Sequence, residues 1–218
     1  MTKETSRFPL LVVHVLMIAA AYAGGGDPAA LLERLPYARP ETRIHYTGSI
    51  DKKGGNADWT WSLYQDAKGE WVLFDEDGPG CLRNFVAHRD QKASDPLYRF
   101  YFDGAERPAF EIRHSEFGRK YPFVEPLAAS YSPKSEGCAD TRLDGIDFRI
   151  VRSFVPMPFA KRCRVTSSEP LTTWPPGGWG HVMAQSFASA DGVTTFTGKE
   201  DWEKMLTAWR NVGSDPKP

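Results

Sequence analysis

From Thr42 the chain alternates with a period of two. Ile44, Tyr46 and Ile50 fall on one side of the repeat and His45, Thr47 and Ser49 on the other, the pattern of a strand with one dry face. After a turn at 51–57 (DKKGGNA) the alternation resumes with Trp59, Trp61 and Leu63 opposite Thr60, Ser62 and Tyr64. Asp66-Ala67-Lys68-Gly69 then returns the chain into Trp71 to Phe74, which predicts a hairpin. A second hairpin is written between Tyr98 and His114: Tyr98, Phe100 and Phe102 share a face, Asp103-Gly104 turns, Phe110 and Ile112 point back, and Glu111 and Arg113 face solvent. Residues 117–141 are rich in Pro, Gly and Ser with little periodicity and read as a long loop. Strands are expected again at 146–154 and about 160–165, and a short hairpin at Asp191-Gly192 between 182–188 and 193–197.

Period 3.6 appears near the two ends. Asp27-Pro28 starts a short helix through Leu31, Leu32 and Leu35, closed by Pro36. At the other end Thr197 and Glu200 form a capping box, Trp202, Met205, Leu206 and Trp209 make one apolar stripe, and Gly213 supplies the stop. About nine strands flanked by these helices predict an α+β domain of predominantly antiparallel β-structure, a sandwich or a single curved sheet with the C-terminal helix packed on it. The expected organisation is an export signal over 1–23, one β-rich domain over 24–213 and a disordered tail over 214–218.

The signal rests on Lys3 and Arg7, an apolar run from Leu10 interrupted only by His14, and Ala21-Tyr22-Ala23 as the cleavage site. That run is about 14 residues long where a membrane span needs about 20. A soluble periplasmic or secreted bacterial protein is therefore expected, with no stable membrane insertion after cleavage. In such a compartment Cys81, Cys138 and Cys163 allow three single bridges; Cys138 with Cys163 is preferred because it would clip the 132–141 loop to a later strand, for about 3 kcal/mol.

Charge and motifs mainly exclude. With 27 basic against 28 acidic residues in 218, a formal net charge of −1 and no basic block, nothing matches a nucleic-acid partner. The cysteine spacing fits no zinc pattern, H-E-x-x-H and G-x-S-x-G are absent, and Asp75-Glu76-Asp77-Gly78 reads as a solvated turn rather than a calcium loop. No metal, cofactor or catalytic residue is implied. His88-Arg89-Asp90 and His114-Ser115-Glu116 read as solvated polar positions, and Glu111, Glu125 and Glu136 are equivalent candidates for a carboxylate pair.

The aromatic residues are what remains: 13 Phe, 7 Trp and 8 Tyr, all but Phe8 and Tyr22 downstream of the signal. Most are needed as core. Trp174 and Trp179, in a Pro/Gly segment, are the better candidates for an exposed binding face, followed by Trp59 and Trp61. His181 joins them because Trp179-Gly180 lets backbone come close to a ligand. The function expected from these features is that of an exported, non-catalytic interaction protein, an inhibitor or immunity-type protein that occludes an envelope-acting toxin or enzyme. The alternative is a small periplasmic envelope hydrolase or glycan-binding module whose Trp residues stack on sugar.

Overall fold

The computed structural model describes residues 42–55, 61–90, 95–131, 148–170 and 179–213. Two antiparallel sheets face each other. The first has the order β1 (Arg43–Gly48), β13 (Gly180–Ser186), β4 (Gly80–Asp90), β10 (Phe148–Ser153), β9 (Ala128–Tyr131), with β11 (Met157–Phe159) also paired to β4. The second runs β2 (Tyr64–Gln65), β3 (Trp71–Asp77), β12 (Arg162–Ser167), β5 (Leu97–Phe102), β6 (Phe110–Arg113). A short ribbon, β7 (Arg119–Lys120) with β8 (Phe123–Val124), a 3₁₀ turn at His114–Glu116 and one α-helix, α1 (Glu203–Arg210), complete the described elements. None of the described helices is long and apolar enough to cross a membrane.

The inner faces meet over aromatic rings. Phe85 on β4 is fully buried and lies 4.9 Å from Tyr98, 5.6 Å from Phe117 and 5.9 Å from Phe100, ring centre to ring centre, so one side chain links both sheets and the segment after β6. Burial of each such ring is worth about 1.5–3 kcal/mol, and edge-on and offset contacts add to it. Trp202, just before α1, and Met205 and Leu206 within it close the same core.

The second predicted hairpin forms as β5 with β6, and Glu111 and Arg113 are exposed as expected. Of the first, only Tyr64–Gln65 pairs with β3, residues 61–63 are not strand, and Leu63, expected on the dry face with Trp61, is exposed. The C-terminal helix docks by its predicted stripe, but it starts at Glu203. Thr197 and Glu200 do bond to each other, in a separate turn that precedes the helix, and the Asp201 carboxylate accepts from the Glu203 N–H. The face of the first strand is reversed: Ile44, Tyr46 and Ile50 are exposed, whereas Ser49 is buried. As an edge strand, β1 turns that side away from the core.

Three further expectations are corrected. Residues 119–131 of the expected loop carry β7, β8 and β9, because Phe117, Phe123 and Leu127 are buried and need paired backbone around them. The stretch 193–197 forms no strand; Phe196 instead drops into the core and donates its N–H to Pro158. Asp75 and Glu76 belong to β3, not to a turn. The N-terminal signal, the 27–36 helix and the 214–218 tail lie outside the described residues.

Candidate functional site

Gly180 is where the sequence-derived candidates meet. A Cβ at that position would collide with the backbone oxygen of Val86 and come within 2.9 Å of the Trp61 ring and 3.1 Å of the Ala87 Cα. The close approach expected of this glycine is therefore real, but it lets strand β13 settle on β4 and Trp61 rather than on a ligand. Trp61 is buried, with its indole N–H unpartnered among the described residues. Trp179 and His181 flank this contact on either side of Gly180. Trp174 and Trp59 lie outside the described residues.

His181 points from β13 to the outer surface of the first sheet. Its Nε2 lies 2.5 Å from Asn84 Oδ1 on β4, and the Asn84 amide nitrogen donates to the Ser153 backbone oxygen at 3.3 Å. Because Asn84 donates there, its oxygen can only accept from the imidazole. Hydrogen therefore sits on Nε2, and Nδ1 is left as an acceptor. On the other side the Tyr46 ring stacks on His181, centroids 5.4 Å apart and planes at 26°. Tyr46 can lie flat across its strand because residue 48 is glycine: a Cβ there would sit 2.6 Å from the Tyr46 hydroxyl. The ring stays 46% exposed.

One strand further in, His88 meets Trp179 edge to face, 6.0 Å between centroids. Burial, reinforced by His181 and Arg152 nearby, pulls the His88 pKa down from 6.5 to about 4. Burial alone lowers that of His181. Both imidazoles are thus neutral at neutral pH, suited to exchanging hydrogen bonds with uncharged hydroxyls and unsuited to holding an anion. No described carboxylate bonds to either ring. The expectation that His88 is a solvated residue is corrected by this burial. His114 was expected to be solvated too, and is instead a core residue, bonded through Nδ1 to the Tyr98 hydroxyl at 3.0 Å.

The remaining candidates are dispersed. Glu111 accepts from Arg99 at 2.6 Å on the second sheet, Glu125 is an exposed turn residue, and Glu136 is outside the described residues. The two described carboxyls whose pKa shifts, Asp75 and Glu116, both shift down: burial opposes the shift, but hydrogen bonds from Arg162 and Tyr64 in one case, and from the Arg113 backbone and Lys120 in the other, outweigh it. A general acid needs the opposite. Among the described residues no group of three His, Cys, Asp or Glu is placed to hold a metal. Cys163 is a free thiol, wholly buried, with its pKa raised by burial; Cys138, its expected partner, is outside the described residues.

Residues 40–204 match the model of the protein family described as the GH172 first beta-sandwich domain. The chain belongs to that family. The matched span runs from just before β1 into α1, so it takes in both sheets and the whole Tyr46–His181 face. No curated protein matches the chain. Membership places it in a glycoside-hydrolase-related family, which fits the hydrolase or glycan-binding alternative better than an inhibitor. Tyr46, Asn84 and Gly48, central to this face, were not singled out from the sequence. Tyr46 was assigned to the dry side of its strand, and Asn84 sits in a strand whose alternation is broken.

Proposed function

We propose that this chain is the β-sandwich module of an exported glycoside-acting protein and that it binds neutral carbohydrate on the Tyr46–His181 face. Export rests on the signal-like residues 1–23, and the carbohydrate class on membership of a glycoside-hydrolase-related family. The observation that carries the site is the half-exposed Tyr46 ring, held flat over Gly48 and backed by an imidazole whose tautomer is set by Asn84. A sugar ring offers an apolar C–H face to such a platform and a rim of hydroxyls to neutral donors and acceptors. Nδ1 of His181 accepts from one hydroxyl, and the two neutral imidazoles avoid the cost of desolvating an ion of their own. The role assigned to this face is recognition, not bond cleavage, since no described carboxylate bonds to its imidazoles.

The test is equilibrium binding of the full chain to a panel of neutral oligosaccharides. Tyr46→Ala is expected to weaken binding about tenfold, the equivalent of roughly 1.4 kcal/mol, while leaving the thermal midpoint unchanged because the ring is half exposed. His181→Ala should weaken it less. Affinity indifferent to both substitutions would remove this face as the site.

A further inference from the structure

A cleft of about 250 Å³ opens on the opposite side of the sandwich, lined by Lys68, Tyr101, Gly104, Ala105, Glu106, Arg162 and Arg164. It uses no residue of the Tyr46 face. Lys68 comes from the turn between β2 and β3, residues 104–106 from the turn after β5, and the two arginines project from β12 at positions i and i+2. Arg164 stacks its guanidinium over the Tyr101 ring, 4.5 Å from the centroid, on the strand directly paired with its own. The stack fixes the plane of the guanidinium and leaves its N–H edge turned outward from the ring.

The cations and their counter-charges are layered. Arg162 is bonded through two nitrogens to Asp75 at 2.7 Å, yet the arginine is 50% exposed and the aspartate only 10%. Arg164 reaches Asp66 at 3.5 Å with the same asymmetry, 25% against 10%. Asp66 is also occupied by the backbone N–H groups of Lys68 and Glu70. Among the described residues Lys68 Nζ donates to a neutral group, the Glu106 backbone oxygen at 3.3 Å. Lys68 and Arg164 therefore carry positive charge at the cleft surface above the covered Asp66 and Asp75, whereas Arg162 also has the exposed Asp77 carboxylate 4.0 Å away. Among the described lining residues Glu106 is the one acidic side chain, and it is exposed.

We infer that this cleft binds a single sugar ring bearing a carboxylate, a uronate. The volume suits one ring, below the usual range for larger ligands. The methylene stems of Lys68, Arg162 and Arg164, with Ala105, form an apolar wall for its C–H face. Its carboxylate meets the Lys68 ammonium and the outward edge of Arg164, with charge-assisted hydrogen bonds in a partly desolvated setting.

The test is titration of the full chain with glucuronate, glucose and inorganic sulfate at low and high salt. Glucuronate is expected to bind, to weaken with added salt, and to weaken about fivefold on Lys68→Ala. Glu106→Gln should tighten it by removing the opposing charge, and Tyr46→Ala should leave it unchanged. Both cleft substitutions are on exposed side chains, so folding is preserved and a null result counts. Glucose bound as well as glucuronate, sulfate bound as well as glucuronate, or no effect of Lys68→Ala would each overturn the inference. Loss of neutral-oligosaccharide binding on Tyr46→Ala tests the other face separately.

Discussion

On the outer face of the first sheet two imidazoles are kept neutral and packed against aromatic rings, whereas on the outer face of the second sheet carboxylates are tied to guanidiniums. Tyr46, His181, Asn84, His88 and Trp179 form the first surface. Arg99 bridging Glu70 and Glu111, and Arg162 held by Asp75 with Tyr64 as a further partner, form the second. The same core supports both, so the contrast comes from what each strand places outward. Neutral imidazoles beside an exposed ring can select uncharged hydroxyls, whereas a surface of ion pairs is stabilised mostly against itself.

The sharpest way to break the contrast is at Gly180. Gly180→Val would drive a branched side chain into the Val86 carbonyl and Trp61, and is expected to cost about 3 kcal/mol or more in chemical denaturation, with loss of the Tyr46–His181 geometry. Next comes acid. The folded pKa of His88 is about 4 and its ordinary value 6.5, so its contribution is present above pH 6.5 and is lost as pH falls toward 4. After allowance for partial exposure this is about 2 kcal/mol, and His88→Leu should flatten that limb of a stability-against-pH curve. An unchanged limb would mean that another group carries it. The second face should respond less. Glu70→Gln takes an ionic partner from Arg99 while Glu111 remains, for about 1–2 kcal/mol. Arg162→Ala, at an exposed position, should cost about 1 kcal/mol or less. Because Asp75 has a lowered folded pKa, that small difference should vanish as pH falls through it.

Much of the second sheet was legible. Tyr98, Phe100 and Phe102 alternate cleanly, the turn residues after them are unambiguous, and the exposed and buried sides of β5 and β6 came out as written, although Leu63 in the other hairpin did not. The first sheet was harder to read. Its central strand β4 went unrecognised because Arg83, Asn84 and His88 interrupt its apolar positions and a register shift opposite Met183–Ala184 breaks the period of two. In β1 the period was read correctly and the side wrongly: an edge strand whose outward positions are apolar looks, in sequence, the same as one turned the other way. The site inherits both difficulties. His181 and Trp179 could be named from the glycine between them, but pairing with Asn84 and Tyr46 depends on strands 97 and 135 residues away.

Cys163 sits at the middle of this sandwich, completely shielded and with its sulfhydryl held protonated by its surroundings. Alkylating reagents can reach it only when the two sheets part, so the rate at which that sulfur is labelled is a built-in clock for opening of the whole fold.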